Sequence, residues 1–327
     1  MVSSPYKTPG MLSAGLVRER AKEAGELASC CRLCPRACGV DRLSGEIGYC
    51  GTGPSLRIGS VTSHFGEEPP LSMNGGAGAI FLTGCSMNCV YCQNYQISQG
   101  AIGQEYTADL LAREMLRLQS LDCSNIDAVS PTHQLPELLE ALAIARDSGL
   151  ELPVVYNTNS YETMEVLEIL DGVVDVYLPD LRYSSNESAL RYSDAPDYVE
   201  IARDAILEMH RQVGNLVVDL EGRAVRGLII RLLVLPSGIA GVENSLQWIK
   251  ENLPKTVTLS LMSQYSPLHR AHEFPELNVT LAENEYESLV QRAWDMGFEN
   301  VFIQEMSANR CGIPDFTSAS PFVWEVD

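Results

Sequence analysis

The sequence predicts an α/β protein, built as a partial (β/α)6 barrel with a cysteine-rich N-terminal extension. Two observations predict this fold class. From residue 78 onward, short apolar runs alternate with stretches of helical period, which is typical of parallel strands joined by helices. Before residue 78 the chain is rich in cysteine, glycine and proline and has little periodicity. We therefore expect an N-terminal arm and metal-binding region at 1–77, the barrel at 78–306 and a C-terminal tail at 307–327.

Apolar runs and the stretches between them define the predicted elements. The predicted strands span 79–83, 126–130, 153–157, 173–178, 227–235, 257–262 and 301–304. The predicted helices span 12–28, 107–120, 135–148, 161–170, 195–213, 243–252 and 283–296. Thr107, Gly149 and the pair Asp171-Gly172 are typical helix caps and stops. Six or seven strand–helix units make a partial barrel, and in parallel barrels the chemistry lies at the carboxyl ends of the strands.

The charge balance argues against two classes of partner. The 327 residues include 43 Asp and Glu against 23 Lys and Arg, which gives a formal net charge of −20. This acidity disfavours binding to nucleic acid or to an anionic membrane, because basic side chains supply that affinity. No apolar stretch is long enough to span a bilayer, and the N-terminus lacks the basic flank and apolar run of a signal peptide. We expect a cytoplasmic protein.

The most informative local feature is a cysteine motif directly after the first predicted strand. Cys85, Cys89 and Cys92 have the spacing C-x3-C-x2-C and supply three thiolates without a fourth. Structural zinc and ordinary ferredoxin clusters take four protein ligands, so a 4Fe-4S cluster held here keeps one iron open. The alternative is three buried free thiols, which the flanking polar residues and glycine disfavour. One helical turn at 89–92 would point the last two thiolates the same way.

A second cysteine group precedes the barrel. Cys31, Cys34, Cys38 and Cys50 give the spacing C-x2-C-x3-C-x11-C, which predicts either structural zinc or an auxiliary 4Fe-4S cluster. Cysteines at ligand spacings in a chain without a secretion signal indicate a reducing and anaerobic cytoplasm. The remaining cysteines, Cys30, Cys123 and Cys311, are interpreted as a spare residue and two packing residues or free thiols.

The motif with an aromatic residue before its last cysteine resembles the signature of radical S-adenosylmethionine (SAM) enzymes. The chain from Phe81 to about Glu305 is similar to the pyruvate formate-lyase activating enzymes and their uncharacterised relatives, through the segments 92–98, 130–134 and 155–161. The resemblance implies a radical SAM barrel in which SAM binds the open iron and is cleaved to a 5′-deoxyadenosyl radical. It also implies an electron donor such as flavodoxin or ferredoxin, and it places Tyr91 near the adenine.

The resemblance implies further cofactor contacts at the strand ends. Ser130, Thr132 and His133 take the place of a Gly-Gly-Glu that binds the SAM amino group. The alternatives are a helix cap for Thr132 and a solvated loop position for His133. Asn157-Thr158-Asn159 resembles an Asp-Thr-Asn whose aspartate and asparagine approach the SAM carboxylate and a monovalent cation. Asn157 replaces the aspartate and removes one negative charge, and Asn159 matches the asparagine; the alternative for Asn159 is an Asx turn.

Three more candidates follow from later strands. Asp180 matches a carboxylate near the cofactor or cation. Arg231 lies inside an apolar strand and matches an arginine near the cofactor carboxylate. The alternative for this arginine is a buried ion pair, with Asp180 as its partner. Tyr265, or Gln264 beside it, matches a position near the ribose, and Gln304-Glu305 closes the last strand against either the barrel or the substrate.

Three functions remain open at this stage. One is hydrogen abstraction from a protein, as an activase that makes a glycyl radical. Another is the same radical chemistry on a small molecule or peptide. The third, of a different class, is an iron-sulfur electron carrier that binds no SAM. A barrel with an open iron disfavours the carrier, because electron transfer requires no cavity.

Overall fold

The computed structural model describes residues 12–100, 102–306, 312–318 and 320–322. The helices are α1 Ala14–Ala28, α2 Tyr95–Ser98, α3 Ala108–Ser120, α4 Leu135–Asp147, α5 Met164–Leu170, α6 Asn186–Ser193, α7 Tyr198–Val213, α8 Val242–Asn252 and α9 Glu283–Asp295. The strands are β1 Leu56–His64, β2 Ala77–Leu82, β3 Gln104–Tyr106, β4 Ile126–Val129, β5 Val154–Thr158, β6 Val176–Pro179, β7 Val217–Val218, β8 Ala224–Leu233, β9 Thr258–Met262 and β10 Asn300–Ile303.

One mixed sheet organises the molecule, in the order β10-β9-β8-β6-β5-β4-β2-β1-β3. The strands from β2 to β10 along this path pair in parallel, as the alternation of strands and helices predicts. β1 pairs antiparallel with both β2 and β3, and β7 forms a short hairpin with β8. No ladder joins β10 to β3 in the part of the chain that the structure describes, so the barrel is open there.

All seven predicted strands and their connecting helices are confirmed, with differences at their ends. Thr107 caps α3 as predicted, because its side chain accepts a hydrogen bond from the Leu110 backbone. The helix predicted at 195–213 begins only at Tyr198, and the separate helix α6 precedes it. Asp194 and Asp197 between them have left-handed backbone conformations, which interrupt the helix. The turn predicted to be helical at 89–92 is a hydrogen-bonded turn without a helix.

The N-terminal region joins the barrel at two places. α1 packs against α4 and α5 on the outside. The chain after β1 crosses the end of the barrel where the parallel strands begin, because His64 at the end of β1 pairs with Ala77 at the start of β2. Leu71 in this crossing segment packs among barrel residues such as Val155 and Ile229. Residues 65–76 therefore form a floor beneath the barrel interior, which we call the floor segment.

Helices long and apolar enough to cross a membrane are absent from the described residues.

Candidate active site

The carboxyl ends of the parallel strands and the floor segment line a cavity of about 280 Å³. The cavity lies inside the barrel because strands of this kind direct alternate side chains inward. Its wall includes most of the residues that the sequence predicts as ligands or cofactor contacts. They are Cys85, Cys89, Tyr91, Cys92, Ser130, Asn157, Asn159, Asp180, Arg231 and Tyr265.

The loop after β2 brings the three cysteines of the C-x3-C-x2-C motif to this cavity. Each sulfur has a polar group beside it: Asn159 Nδ2 at 3.6 Å from Cys85, Ser193 Oγ at 3.0 Å from Cys89 and Ser98 Oγ at 3.3 Å from Cys92. Hydrogen bonds to ligand sulfurs stabilise the thiolate form and tune a metal centre.

Because these thiols are buried, their deprotonated form requires a positively charged group nearby. Burial is the main cause that raises the pKa of Cys85 to about 12 and that of Cys92 to about 11. The neighbouring Cys89 contributes to both increases, because adjacent negative sulfurs repel one another. A positively charged iron-sulfur core removes that cost, so the donor set fits a cluster held by three cysteines.

A chain of hydroxyl groups supports the cysteine loop from behind. Tyr91 Oη lies 2.6 Å from Tyr183 Oη, which lies 2.7 Å from Ser193 Oγ, and the serine in turn donates to Cys89 Sγ. The backbone of Asn88 also donates to the Ser193 carbonyl at 3.0 Å. The end of α6 therefore positions one cysteine ligand and Tyr91 together.

The N-terminal cysteine region packs directly against the same loop. Gly84 has a φ of +91°, and a Cβ there would lie 2.5 Å from the backbone oxygen of Cys50. Arg36 Nε donates to the Ser86 carbonyl at 2.9 Å, and its guanidinium lies 3.9 Å from the centre of the Tyr49 ring. Only glycine fits at position 84, because the backbone is left-handed and the neighbouring chain is in close contact.

Arg231 is the centre of a polar layer beneath the cysteines. Its Nε donates to Asp180 Oδ1 at 2.7 Å, its Nη1 to Glu67 Oε2 at 3.1 Å and its Nη2 to Asn157 Oδ1 at 2.6 Å. Asp180 also pairs with Arg182. The ion pair with Asp180 is therefore present, and the same guanidinium faces the cavity. It supplies positive charge beside Asp180 and Asn157, the two residues for which the resemblance implies a nearby monovalent cation.

Three predicted cofactor contacts line the cavity, and two of them also form hydrogen bonds to the backbone elsewhere. Asn159 forms the Asx turn, because its Oδ1 accepts from the Tyr161 backbone at 2.9 Å, while its amide faces Cys85. Ser130 lines the cavity with a φ of +52°. Tyr265 presents its ring to the cavity and stands edge-on to Tyr91 at 6.0 Å, but its hydroxyl donates to the Leu277 carbonyl, away from the cavity.

Thr132 and His133 lie outside the cavity wall, and the alternatives expected for them, a helix cap for Thr132 and a solvated loop position for His133, are both wrong. The Thr132 hydroxyl donates to the buried Glu162 at 2.6 Å, so it is neither a helix cap nor an exposed acceptor. His133 is 2% exposed, and its Nε2 donates to the Thr83 carbonyl at 2.8 Å. Burial lowers the pKa of His133 to about 4, so the imidazole is neutral at pH 7.

The four N-terminal cysteines lie together next to the cysteine loop. Cys31 and Cys38 are in side-chain contact, and the sulfurs of Cys38 and Cys50 lie 3.1 and 3.8 Å from the place of a Cβ on Gly48. Burial raises the pKa of Cys34 to about 12, with contributions from Cys50 and Cys31.

No group of three or more His, Cys, Asp or Glu side chains is arranged around a single metal ion within the described ranges. Thiolates of a cubane cluster bind different iron atoms and need not converge in this way. Among the other cysteines, Cys30 is exposed and Cys123 is buried beside Ser63, whereas Cys311 lies outside the described residues.

The sequence patterns did not predict several residues that contribute to the site. Glu67 and Glu68 lie in the floor segment, and Tyr183 and Ser193 lie around a helix that was not predicted. The double glutamate before two prolines is a visible signal, but nothing local indicates that it faces a barrel interior. The two hydroxyl residues carry no pattern that separates them from surface residues.

Two sequence comparisons relate this chain to known proteins. Residues 79–221 match the family model described as the radical SAM superfamily. An uncharacterized protein of Methanocaldococcus jannaschii is 32% identical over 272 residues, which are 80% of this chain and 74% of that protein.

Two solved structures show lower similarity. SuiB of Streptococcus suis, bound to precursor peptide SuiA, is 11% identical, with 70% of this chain and 47% of that chain covered and a TM-score of 0.47. The radical SAM methyltransferase TsrM of Kitasatospora setae, with tryptophan substrate and a SAM analog bound, is 10% identical, with 69% and 53% covered and a TM-score of 0.44. The chain spans about half the length of these two proteins.

The parallel α/β fold and a three-cysteine loop at its strand ends define an iron-sulfur enzyme with an internal cavity. The chain belongs to the radical SAM superfamily. Its cofactors are accordingly a 4Fe-4S cluster and SAM, and its general chemistry is reductive cleavage of SAM.

Proposed function

We propose that this enzyme uses the radical from SAM cleavage to abstract a hydrogen atom from a substrate that reaches into the barrel cavity. One observation carries the proposal: the three cysteines, Tyr91 and the Arg231 layer all line the same cavity. When bound, the cluster supplies the electron that cleaves SAM to methionine and a 5′-deoxyadenosyl radical.

The residues of this chain bind and orient the reactants. Cys85, Cys89 and Cys92 hold the cluster, and Asn159, Ser193 and Ser98 donate hydrogen bonds to their sulfurs. Hydrogen bonds of this kind hold the ligand sulfurs in position and stabilise their negative charge. Ser130 and the rings of Tyr91 and Tyr265 line the space for SAM, and Arg231 offers a guanidinium to a carboxylate.

Two further roles are retained from the sequence as proposals. Activation of a glycyl radical enzyme is the protein-substrate version of this chemistry, and a small molecule or peptide is the other version. A cavity inside the barrel favours a substrate, or a part of one, that enters the barrel. It disfavours an electron carrier, because a carrier needs only an accessible cluster.

We also propose a second metal centre, zinc or 4Fe-4S, at Cys31, Cys34, Cys38 and Cys50. Its support is the grouping of these cysteines and the raised pKa of the buried thiols, which a metal would offset. The expected setting is an anaerobic cytoplasm with flavodoxin or ferredoxin as the electron donor.

Release of 5′-deoxyadenosine tests the radical chemistry. After anaerobic reconstitution with iron, sulfide, dithionite and SAM, the wild-type protein should release 5′-deoxyadenosine, and the Cys85→Ala variant should lose that release by about a hundredfold or more. Cys30→Ala is the matched control, because Cys30 is exposed and apart from the cavity, and it should keep wild-type release. Absence of 5′-deoxyadenosine from a reduced, cluster-loaded wild-type protein would contradict the proposed function.

A further inference from the structure

The floor of the cavity is built by residues that the general radical SAM chemistry does not require. Glu67 and Glu68 belong to the floor segment, and both side chains line the cavity from its closed end. Hydrogen bonds hold this segment in place: the Ala224 backbone donates to the Pro70 carbonyl at 2.9 Å, and Asn125 Nδ2 donates to the Leu71 carbonyl at 2.9 Å. The two carboxyl groups are therefore held under the barrel interior rather than carried on a loose loop.

The floor carries more negative than positive groups. The acidic side chains are Glu67, Glu68, Asp127 and Asp180, and the basic ones facing them are Arg231, Arg182 and His64, whose Nε2 lies 3.9 Å from Glu67 Oε1. Burial lowers the pKa of His64 to about 4, so ionisation of the four carboxyl groups and two arginines leaves an excess of two negative charges. Burying a carboxylate without a compensating positive charge costs free energy. The carboxyl groups must therefore take up protons or bind a cation. The raised pKa values of Glu67, Glu68 and Asp127 have burial as their first cause, which agrees with this imbalance.

Glu68 borders the cavity and carries one buried carboxylate oxygen without a partner. The residue is 7% exposed, and its Oε2 accepts no hydrogen bond from the described residues, while the side chain is also hydrogen-bonded to Ser260. Beneath the same layer Asp127, which is 1% exposed, has an unpartnered Oδ1. Buried polar atoms in proteins are nearly always hydrogen-bonded, so an orphan oxygen on a cavity wall indicates a donor that comes with the ligand.

We propose that the cavity floor is a subsite for a primary ammonium group of the substrate, with Glu68 and Glu67 as its main acceptors. The inference rests on the proposed function, because it assigns this group to the molecule that the radical attacks. An ammonium group offers three donors and one compact positive charge, whereas ionised carboxylates only accept. The ammonium group therefore donates a hydrogen bond to the unpartnered Glu68 oxygen and also reduces the excess negative charge. A carboxylate or phosphate would add to the excess negative charge.

Binding of simple amines to the full-length, cluster-reconstituted protein tests this subsite. The probes are n-butylammonium, Nα-acetyl-lysine N-methylamide, butan-1-ol as the uncharged control and potassium chloride at equal ionic strength. The measurements are the thermal unfolding midpoint and the Kd by calorimetry. Wild-type protein should be stabilised by the ammonium probes but not by the alcohol or by potassium. Tighter binding of the lysine amide assigns the ammonium to a peptide substrate, and tighter binding of butylammonium assigns it to a small molecule; both support the subsite.

Two glutamate variants make the test specific. Glu68→Gln keeps the shape of the side chain and should weaken ammonium binding at least tenfold. Glu137→Gln is the matched control, because Glu137 also has a buried, unpartnered Oε2 but lies outside the cavity wall, and its Kd should be unchanged. The subsite is wrong if wild type does not bind the ammonium probes, if potassium or the alcohol acts equally well, or if Glu68→Gln binds like wild type. Release of 5′-deoxyadenosine without any amine, measured on the same preparation, tests the radical chemistry separately.

Discussion

Glu162 shows how single buried side chains hold the strand ends in place behind the cavity. The residue is 3% exposed, and hydroxyl groups of Thr132, Thr158 and Tyr156 donate to its carboxyl group. Thr132 follows β4, whereas the other two belong to β5, so the glutamate links two neighbouring strand ends. Burial raises the pKa of Glu162 to about 7, although the three hydrogen bonds oppose the shift.

This raised pKa predicts a pH-dependent stability. Between pH 4.5 and 7 the folded protein keeps the Glu162 proton and the unfolded chain releases it, so the folded state binds more protons and its stability falls as pH rises. Replacing Glu162 by Gln should remove roughly 3 kcal/mol of this decline. Chemical denaturation from pH 4.5 to 7.5 measures the free energy of unfolding in both proteins.

The matched control for this measurement is Glu287→Gln, on the exposed side of α9, which should keep the wild-type pH profile. If Glu162→Gln has the same slope as wild type, Glu162 ionises in the folded protein near its ordinary pKa and the burial argument is wrong.

At the scale of elements, the cysteine loop after β2 depends on contacts from two distant segments. The N-terminal cysteine region covers it on one side, through Cys50 against Gly84, and the end of α6 supports it on the other, through Ser193. The loop has no regular secondary structure of its own, so its backbone hydrogen bonds must come from such neighbours.

Substitution of Gly84 should therefore disrupt the cysteine loop. In Gly84→Ala the new Cβ meets the Cys50 backbone oxygen at 2.5 Å and the residue must keep a φ of +91°. We expect a loss of at least about 3 kcal/mol in the free energy of unfolding and incomplete cluster loading. Thermal unfolding and iron content per chain measure the two effects.

The Gly39→Ala variant measures the cost of a left-handed backbone conformation without a steric clash. Gly39 has a φ of +70°, but a Cβ there meets no atom within 4 Å. This variant should lose only the left-handed conformational energy, about 1 kcal/mol, and should load iron normally. Equal effects of the two substitutions would mean that the contact between the loop and Cys50 does not matter.

At the scale of the whole molecule, the chain places two groups of cysteines side by side. The cysteine loop after β2 and the four N-terminal cysteines are separated in sequence, yet Gly84 and Cys50 are in direct contact. Loss of one group should therefore weaken the other as well as remove its own metal.

Metal analysis distinguishes the two possible N-terminal centres. Replacing Cys85, Cys89 and Cys92 together by Ala should remove about four irons per chain. About four irons remaining in that variant would identify an auxiliary cluster, whereas about one zinc and no iron would identify a structural site. The comparison variant replaces Cys31, Cys34, Cys38 and Cys50 by Ser and should lose only the second metal or cluster directly. If it retains the full wild-type metal content, these four cysteines hold no metal.

Much of the fold and part of the site could be predicted from the sequence. The seven parallel strands were predicted because buried strands are continuous apolar runs, and this is a local property. β1 and β3 were missed because strands at the side of a sheet carry mixed polarity: β1 is only partly buried along its length, and two of the three residues of β3 are exposed. Likewise, α6 is short, and five of its eight residues lie outside the core.

By itself, the sequence determined the superfamily and predicted three cysteine ligands, because ligand spacing and the alternation of strands and helices are properties of neighbouring residues. Only the tertiary structure decided which polar residues face the cavity. It turned Thr132 and His133 away, joined Arg231 to Asp180 and brought Glu67 and Glu68 under the barrel. The physical reason is that the cost of burying a charge is met by partners from distant segments, and those partners are known only when the strands have been placed side by side.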